Sequence, residues 1–217
     1  RNLIMKKILF LFLLFAFSIN AQNNDKYIAA MKKNFAMLDT ASTASTFQLL
    51  SNSFERIANA EKDKWLPYYY ASYLLTVSTF MDTVVEKKDT YLDKADFLLA
   101  FADSLEPNNS EVYTIKAMIS QGRLIVDPQT RWMKYGPMFS NFISRAKEFD
   151  PANPRPVFLQ GQNVLYTPEQ FGGGKEKALP ILKEAEEKFK NFEPESELHP
   201  DWGEEVLKST LENIEAQ

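Results

Sequence analysis

A spaced set of four residues recurs along this chain and constrains its fold more than any other feature. Its clearest copy is Ala95, Leu99, Ala102 and Pro107, with successive spacings of 4, 3 and 5 residues. The same three spacings recur 44 residues later. The first two spacings, without the proline, recur 39 residues beyond that second copy and also 45 residues before the first copy. These further copies are Phe139, Ile143, Ala146 and Pro151; Ala178, Leu182 and Ala185; and Leu50, Phe54 and Ile57. Self-similarity at such a period is typical of a repeat architecture.

A second pattern follows three of these copies. In each case a bulky residue is followed, four positions later, by a small one that would let a neighbouring helix approach closely. The pairs are Tyr68 with Ser72, Tyr113 with Ala117, and Val157 with Gly161. The recurrence of both patterns predicts a unit built from two packed segments.

The period of the apolar residues predicts that these segments are helices. Apolar residues recur every three or four positions in "YLDKADFLLAFADSL" and in "KEKALPILKEAEEKFKNF", which is the period of an amphipathic helix. No stretch alternates with turn signals at hairpin spacing, so no sheet is predicted. We predict helices near 24–38, 43–61, 65–82, 89–105, 110–123, 135–149, 154–165, 174–191 and 202–215.

Together these residues resemble the tetratricopeptide repeat family between about Leu50 and Lys190. In that family a large and a small residue lie four apart on the first helix of a unit, two alanines lie on the second helix, and a proline ends the unit. The resemblance implies an all-α fold in which antiparallel helix-turn-helix repeats stack as a short α-solenoid. The last predicted helix, "EEVLKSTLENI", would cap the stack.

The unit length departs from the family pattern. Family units are about 34 residues long, whereas the copies here recur at 45, 44 and 39 residues. We expect the extra residues between the two helices of each unit, as in the exported, loop-elongated repeat proteins of Gram-negative bacteria that the chain resembles. The segment 122–137, "GRLIVDPQTRWMKYGP", is then a long inter-helix loop.

The N-terminal residues predict a secretory signal peptide. Met5, Lys6 and Lys7 precede an unbroken apolar run from Ile8 to Phe17, and "SINAQ" follows. A basic start, a run of this length and a small residue at the cut are typical of such a leader. We therefore divide the chain into a leader, 1–21, and a repeat domain, 22–217, that is exported to the periplasm.

Composition excludes several classes of protein. The chain has no cysteine, which excludes disulfides, thiolate metal sites and a cysteine nucleophile. Its net charge is −4, and removal of the three cations in the predicted leader makes it −7. An acidic protein lacks the basic footprint expected for nucleic-acid binding. No later segment is apolar enough to predict a membrane-spanning helix.

The stretch "EQFGGGKEKA", residues 169–178, raises the question of a phosphate-binding loop. A P-loop needs a glycine where Glu169 stands, a Ser or Thr where Glu176 stands, and a preceding strand. Two hypotheses remain. The glycines form a structural turn with Phe171 packed back onto the helices, or the start of the next helix binds an anion with Lys175 and Lys177.

No catalytic, metal or cofactor site is predicted. His199 is the only histidine, and "ELHPDW" offers it only Glu197 and Asp201 as neighbours. The carboxylates around Glu186 alternate with lysines, which is typical of a solvated helix face. The serines and threonines of residues 40–46 lack a nucleophile motif. We expect the protein not to be an enzyme.

Two kinds of surface remain as candidate binding sites. In the segment 122–137, Arg131 and Trp132 are residue types that binding hot spots use; alternatively, Trp132 and Tyr135 anchor a long loop onto the core. The resemblance also implies a concave groove lined by the first helix of each unit. Carried over position by position, its residues are Tyr69, Tyr73, Thr114, Met118, Gln121, Arg155, Phe158, Gln162 and Tyr166.

Three classes of function follow from this organisation. The first is a non-catalytic exported scaffold that binds another envelope protein or a peptide in the groove, with Arg131, Trp132, Phe171 and Lys175 as loop contacts. The alternative is a small-molecule binding protein associated with a transporter, with its ligand between the groove and the loops 124–135 and 166–174. The third class, an enzyme, has no supporting motif.

Overall fold

The computed structural model describes residues 24–216, and every regular element within that range is helical. The helices are α1 over residues 24–38, α2 (Ala44–Ala60), α3 (Trp65–Met81), α4 (Val85–Leu105), α5 (Ser110–Val126), α6 (Pro128–Phe149), α7 (Pro154–Tyr166), α8 (Lys175–Lys190) and α9 (Glu204–Glu215). A short 3-10 turn, Glu169–Phe171, precedes α8. The all-α prediction is confirmed over these residues. The predicted signal peptide lies outside them.

Side-chain caps explain where several helices begin. At the start of α2, Thr43 and Thr46 form a reciprocal capping box. Asn109 accepts two backbone N–H groups at the start of α5, and Asn153 accepts one at the start of α7. Each cap satisfies amide groups that have no partner within the helix. The local sequence therefore determines these boundaries.

The recurring residues form the core. Every member of the four-residue sets on α4, α6 and α8, apart from the prolines, is buried, and so are Leu50 and Phe54 on α2. The small residues of the second pattern lie at close helix contacts on α3, α5 and α7. The Ser72 hydroxyl donates to the Ala95 carbonyl at 2.9 Å. A Cβ atom built on Gly161 would lie 2.6 Å from Leu182 Cδ2.

Helices adjacent in sequence pack against one another from α2 to α9, and the odd-numbered helices α3, α5 and α7 also contact each other in order. One apolar core follows α1 to α6, and a second lies among α7, α8 and α9. Trp202 packs against both cores. None of the helices in residues 24–216 is long and apolar enough to cross a membrane.

The predicted loop at 122–137 is wrong. Helix α5 continues to Val126 and α6 begins at Pro128, so Asp127 alone connects them. Proline at the first helical position costs no hydrogen bond, and the Thr130 hydroxyl donates to Asp127 at 2.6 Å. The weak helix formers Gly136 and Pro137 predict a later start for this helix, near residue 135, yet Pro137 lies inside α6.

The extra length of each unit is therefore mostly helical. Helices α4 and α6 contain 21 and 22 residues, and the connection from α3 to α4 spans only residues 82–84. The expectation that the extra residues form long loops is wrong for these two units. Of the connections within the units α3–α4, α5–α6 and α7–α8, only that from α7 to α8, residues 167–174, is long, and it contains the 3-10 turn.

Candidate functional site

A segment without regular secondary structure, residues 192–203, lies across α3 and α7; we call it the strap. The Tyr70 hydroxyl donates to the Leu198 carbonyl at 3.1 Å, and the Arg155 guanidinium donates to the Pro200 carbonyl. Trp202 Nε1 donates to the Tyr69 hydroxyl at 2.8 Å. Side chains of the helices thus satisfy the backbone of the strap, as buried backbone groups require.

Aromatic contacts also hold the strap. The ring of Trp202 stacks on that of Tyr73, with their centroids 4.7 Å apart, and Trp65 makes an edge contact with His199. At the other end, Lys32 of α1 forms an ion pair with Glu197. The strap therefore contacts α1, α3 and α7.

The nine predicted groove residues divide by exposure. Five are buried, three are half-buried and one is exposed. The buried ones are Tyr69, Thr114, Met118, Arg155 and Phe158; the half-buried ones are Tyr73, Gln121 and Gln162; Tyr166 is exposed. Tyr69, Tyr73 and Arg155 contact the strap. Their role in binding a partner stays a prediction, and it would require the strap to leave.

A buried ion pair lies under the strap. Arg155 Nη1 is 2.9 Å from Glu111 Oε1, and the Arg155 side chain has 0% exposure. Glu111 also accepts hydrogen bonds from Tyr69 at 2.9 Å and from Asn153 at 2.6 Å. Burial raises the pKa of Glu111 above its ordinary value, although Arg155 and these hydrogen bonds oppose the shift. The rings of Phe192 and Trp202 lie over the guanidinium.

Burial keeps the phenol groups of three tyrosines in this region neutral. Burial raises the pKa of Tyr69, Tyr70 and Tyr73 well above the ordinary value, and nearby carboxylates add to the rise. A phenol held in its neutral form can donate to the strap but cannot act as a base near neutral pH.

The glycine stretch forms a hydrogen-bonded turn. Gly172 and Gly174 have φ values of 90° and 101°, which favour glycine. The amides of Gly172, Gly173 and Gly174 donate to the carbonyls of Glu169, Pro168 and Val164. Three donors that an anion site would use are thus engaged within the turn. Phe171 is 74% exposed, so the expectation that it packs back onto the helices is wrong.

Exposed apolar side chains gather at one edge of the molecule. Short connections make consecutive helices antiparallel, so the ends of the odd-numbered helices and the starts of α2, α4, α6 and α8 lie together. Of the sixteen exposed large apolar residues within residues 24–216, ten belong to these junctions: Met37, Phe80, Met81, Val84, Val85, Ile125, Trp132, Met133, Tyr166 and Phe171. We call this set the apolar edge. Exposed apolar patches of this kind mark interaction sites.

Ion pairs join the junctions of this edge. Arg131 at the start of α6 makes a two-pronged contact with Asp89 at the start of α4, with both distances 2.7 Å. Hydrogen bonding to Arg131 lowers the pKa of Asp89. Arg123 near the end of α5 contacts Asp93 and Asp96 of α4. The predicted contact residue Arg131 thus holds two helices together, while Trp132 beside it is 60% exposed.

A cleft of about 420 Å³ adjoins the apolar edge, and we call it the basic cleft. Its lining contains three cations and two carboxylates: Arg123, Arg131, Lys134, Asp89 and Asp93, together with Thr130 and Tyr135. The Lys134 ammonium lies 4.9 Å from the centre of the Tyr135 ring. No carboxylate within residues 24–216 forms an ion pair with Lys134 or with Lys175 at the next junction of the edge.

A larger cleft, of about 610 Å³, lies at the opposite ends of the helices, and we call it the acidic cleft. Its walls include the rings of Trp65, Phe149, Phe192 and His199. Glu106, Glu111, Asp150, Glu193 and Glu195 also line it, and no lysine or arginine does. One wall comes from the strap and the other from the α4–α5 and α6–α7 turns.

One histidine, His199, lines the acidic cleft and contacts two other strap residues. His199 Nδ1 lies 2.8 Å from the Ser196 hydroxyl, and Nε2 lies 3.3 Å from Glu195. All three residues belong to the strap. Over the described residues, no three histidine or acidic side chains are grouped so as to hold a metal ion.

Sequence reasoning missed the strap residues that complete these surfaces. Pro200 lies in a segment for which the sequence predicts no helix, and Trp202 lies at the predicted start of the last helix, yet both contact helices more than 40 residues away. The stretch "LHPDW" contains a leucine, a proline and the rings of a histidine and a tryptophan, which is an indication that this connection packs on the protein. Large apolar groups in a connection indicate that it packs on the core.

The fold and its clefts define an all-helical protein that presents open binding surfaces. No protein-family model matches the chain, and no curated protein matches it. A solved structure, the HusA haemophore from Porphyromonas gingivalis, is 35% identical to it, with a TM-score of 0.78 over 88% of this chain and 93% of that chain. The chain belongs to the family of this haemophore.

Proposed function

We propose that this protein is a non-catalytic exported binding protein and that its ligand is an iron porphyrin. The observation that carries the proposal is its similarity to the HusA haemophore along nearly the whole of both chains. This corresponds to the small-molecule alternative derived from the sequence rather than to the protein-binding scaffold. Export agrees with the predicted leader and with the similarity to a haemophore.

The same proposal includes a tetratricopeptide-like arrangement. In the pairs α3–α4, α5–α6 and α7–α8, the recurring residues occupy buried positions of the same kind. The contacts of α3 with α5 and of α5 with α7 support a stack of such pairs. Stacked pairs offer extended surfaces along their faces and edges.

The charged residues that line the two clefts indicate which of them can bind the carboxylates of a porphyrin. An iron porphyrin of the haem type is a flat apolar ring with two carboxylate groups. The acidic cleft contributes five carboxylates and no lysine or arginine, so it would repel those groups. In the basic cleft, both arginines are already paired with aspartates, but the Lys134 ammonium forms no ion pair within residues 24–216 and can meet a carboxylate of the ligand. We therefore assign the porphyrin carboxylates to the basic cleft.

The apolar edge suits the ring itself. Trp132 is 60% exposed beside the basic cleft, and Met133 follows it in the sequence. An aromatic ring and a flexible thioether can both cover a flat apolar ligand. Methionine and tyrosine are also groups that ligate haem iron, and Met133 and Tyr135 supply one of each near the cleft.

Titration of the purified protein with haemin tests the proposal. We expect a saturable change in the Soret absorption at a defined stoichiometry. Trp132→Ala should weaken the affinity about tenfold, because burying the exposed part of an indole contributes on the order of 1–2 kcal/mol. Lys134→Gln should weaken haemin binding but leave binding of a porphyrin without carboxylates unchanged.

Two control variants locate the site. Phe97→Ala removes a similarly exposed ring from α4, outside the apolar edge, and should leave the affinity unchanged. His199→Ala alters only the acidic cleft. If haemin does not bind at all, the proposed function is wrong. If His199→Ala abolishes binding while Trp132→Ala has no effect, the ligand is right but the assigned site is wrong.

A further inference from the structure

We propose that the acidic cleft is a second binding site, specific for an organic cation that carries a guanidinium or primary ammonium group. The cleft lies at the opposite ends of the helices from the apolar edge, and its volume of about 610 Å³ is in the usual range for small-ligand pockets. The proposal does not depend on the porphyrin assignment.

Aromatic rings on both sides of the cleft are the first argument. Trp65 and Phe149 come from the starts and ends of the repeat helices, and Phe192 comes from the strap. All three rings are half-buried, so each has a surface that a ligand can reach. A cation over the face of such a ring is attracted by its quadrupole.

The protein already uses this interaction beside the cleft. The guanidinium of Arg145 lies 4.6 Å from the centre of the Phe149 ring, and that of Arg155 lies 4.7 Å from the centre of Phe192. Two of the three rings therefore each carry a guanidinium on one side, while part of their surface lines the cleft. Cation–π contacts thus already occur beside the cleft.

The second argument for a cation site is that several carboxylates of the acidic cleft have no ion-pair partner. Of the five carboxylates, Glu111 is paired with Arg155 and Glu195 with His199. The other three, Glu106, Asp150 and Glu193, form no ion pair within residues 24–216, and no lysine or arginine lines the cleft. Low-dielectric walls of one charge sign concentrate ions of the opposite sign.

The combination of rings and carboxylates selects the kind of cation. Carboxylates alone would attract any cation, including hydrated metal ions, which prefer closely grouped oxygen ligands. No such group of three is present in the described part of the chain. A guanidinium or ammonium group on an apolar stem can contact a ring and a carboxylate at once.

Titration with agmatine, a small molecule with one guanidinium and one ammonium group, tests the site. We expect saturable binding by calorimetry, accompanied by a change in tryptophan fluorescence from Trp65. Glutarate, a dianion of similar length, should not bind. Binding should weaken when salt is raised, because partly exposed charges are screened.

Matched variants separate the cleft from general surface charge. Asp150→Asn and Glu193→Gln should each weaken agmatine binding about threefold, as loss of one partly exposed ion pair implies. Glu212→Gln removes an exposed carboxylate of α9 outside the cleft and should have no effect. Trp65→Leu should weaken binding while the protein remains folded by circular dichroism.

The proposal fails if agmatine does not bind, or if Glu212→Gln weakens binding as much as Glu193→Gln. Equal affinity for glutarate would also overturn it. Haemin titration of the same variants keeps the two proposals apart. Asp150→Asn and Glu193→Gln should leave haemin binding unchanged, and Trp132→Ala should leave agmatine binding unchanged.

Discussion

Arg155 and Glu111, 44 residues apart in the sequence, form an ion pair of 2.9 Å beneath the strap, and the arginine side chain has no solvent exposure. The same guanidinium donates to the Pro200 carbonyl, so one side chain joins α5, α7 and the strap. Its Nε atom has no hydrogen-bond partner. Loss of either partner of such a pair destabilises the folded protein, because the remaining charge would be buried alone.

Arg155→Met should destabilise the protein by about 3–5 kcal/mol, because it leaves the Glu111 carboxylate buried without its cation. Urea denaturation at neutral pH measures the change. Arg145→Met is the matched control: its pair with Glu148 is exposed, and its loss should cost less than about 1 kcal/mol. Equal effects of the two substitutions would contradict the structural role of Arg155.

Glu111→Gln should remove a specific pH dependence of stability. The pKa of Glu111 is raised above 4.5 in the folded protein, so the native state takes up this proton at a higher pH than the unfolded chain does. Its contribution to stability is therefore fully present below the unfolded pKa and is lost as pH rises through the folded pKa.

The measurement is the free energy of unfolding of the parent and of Glu111→Gln over a series of pH values. The parent should gain stability relative to the variant as pH falls through the raised pKa, and the difference should become constant below about 4.5. Glu212→Gln should show no such trend. A difference that grows toward higher pH would mean that the pKa is lowered, not raised.

Gly161→Leu should destabilise the contact between α7 and α8 by about 1–3 kcal/mol, because even a Cβ atom would lie 2.6 Å from Leu182 Cδ2. Thermal and urea denaturation measure the loss. In the double variant that combines Gly161→Leu with Leu182→Ala, the shortened side chain at position 182 makes room for the new leucine. The loss of stability in the double variant should therefore be smaller than the sum of the losses in the two single variants. Strict additivity would show that the two residues are not in contact.

Gly173→Ala should destabilise the turn before α8 by about 1–3 kcal/mol, because the new Cβ would lie 2.0 Å from the Thr167 carbonyl oxygen. Gly136→Ala is the control, since no atom lies within 4 Å of its Cβ position inside α6. It should stabilise the helix by about 0.5–1 kcal/mol. Lys175→Gln with Lys177→Gln should leave stability and ligand binding almost unchanged, and a salt-sensitive loss of binding in this variant would favour the anion-site hypothesis instead.

The helices and the core positions could be predicted from the sequence. The residues spaced by 4 and 3 lie on α4, α6 and α8 and are buried, because the period of a helix brings them to one face. Helix starts such as those at Ser110 and Pro154 were also predictable, since Asn109 and Asn153 cap them locally. Periodicity and capping act within a few residues and can be recognised in a single sequence.

Only the tertiary structure decided which surfaces are open. The Tyr69–Trp202 and Tyr70–Leu198 hydrogen bonds join residues 133 and 128 positions apart. Of these residues, Tyr69 is one that the family resemblance placed in an open groove, and it is buried in the structure. The strap sequence has no repeating pattern of apolar residues. Its position depends on hydrogen bonds that side chains of distant helices donate to its carbonyl groups. The apolar edge and the acidic cleft likewise form only when separate junctions come together, because no local pattern encodes contact between them.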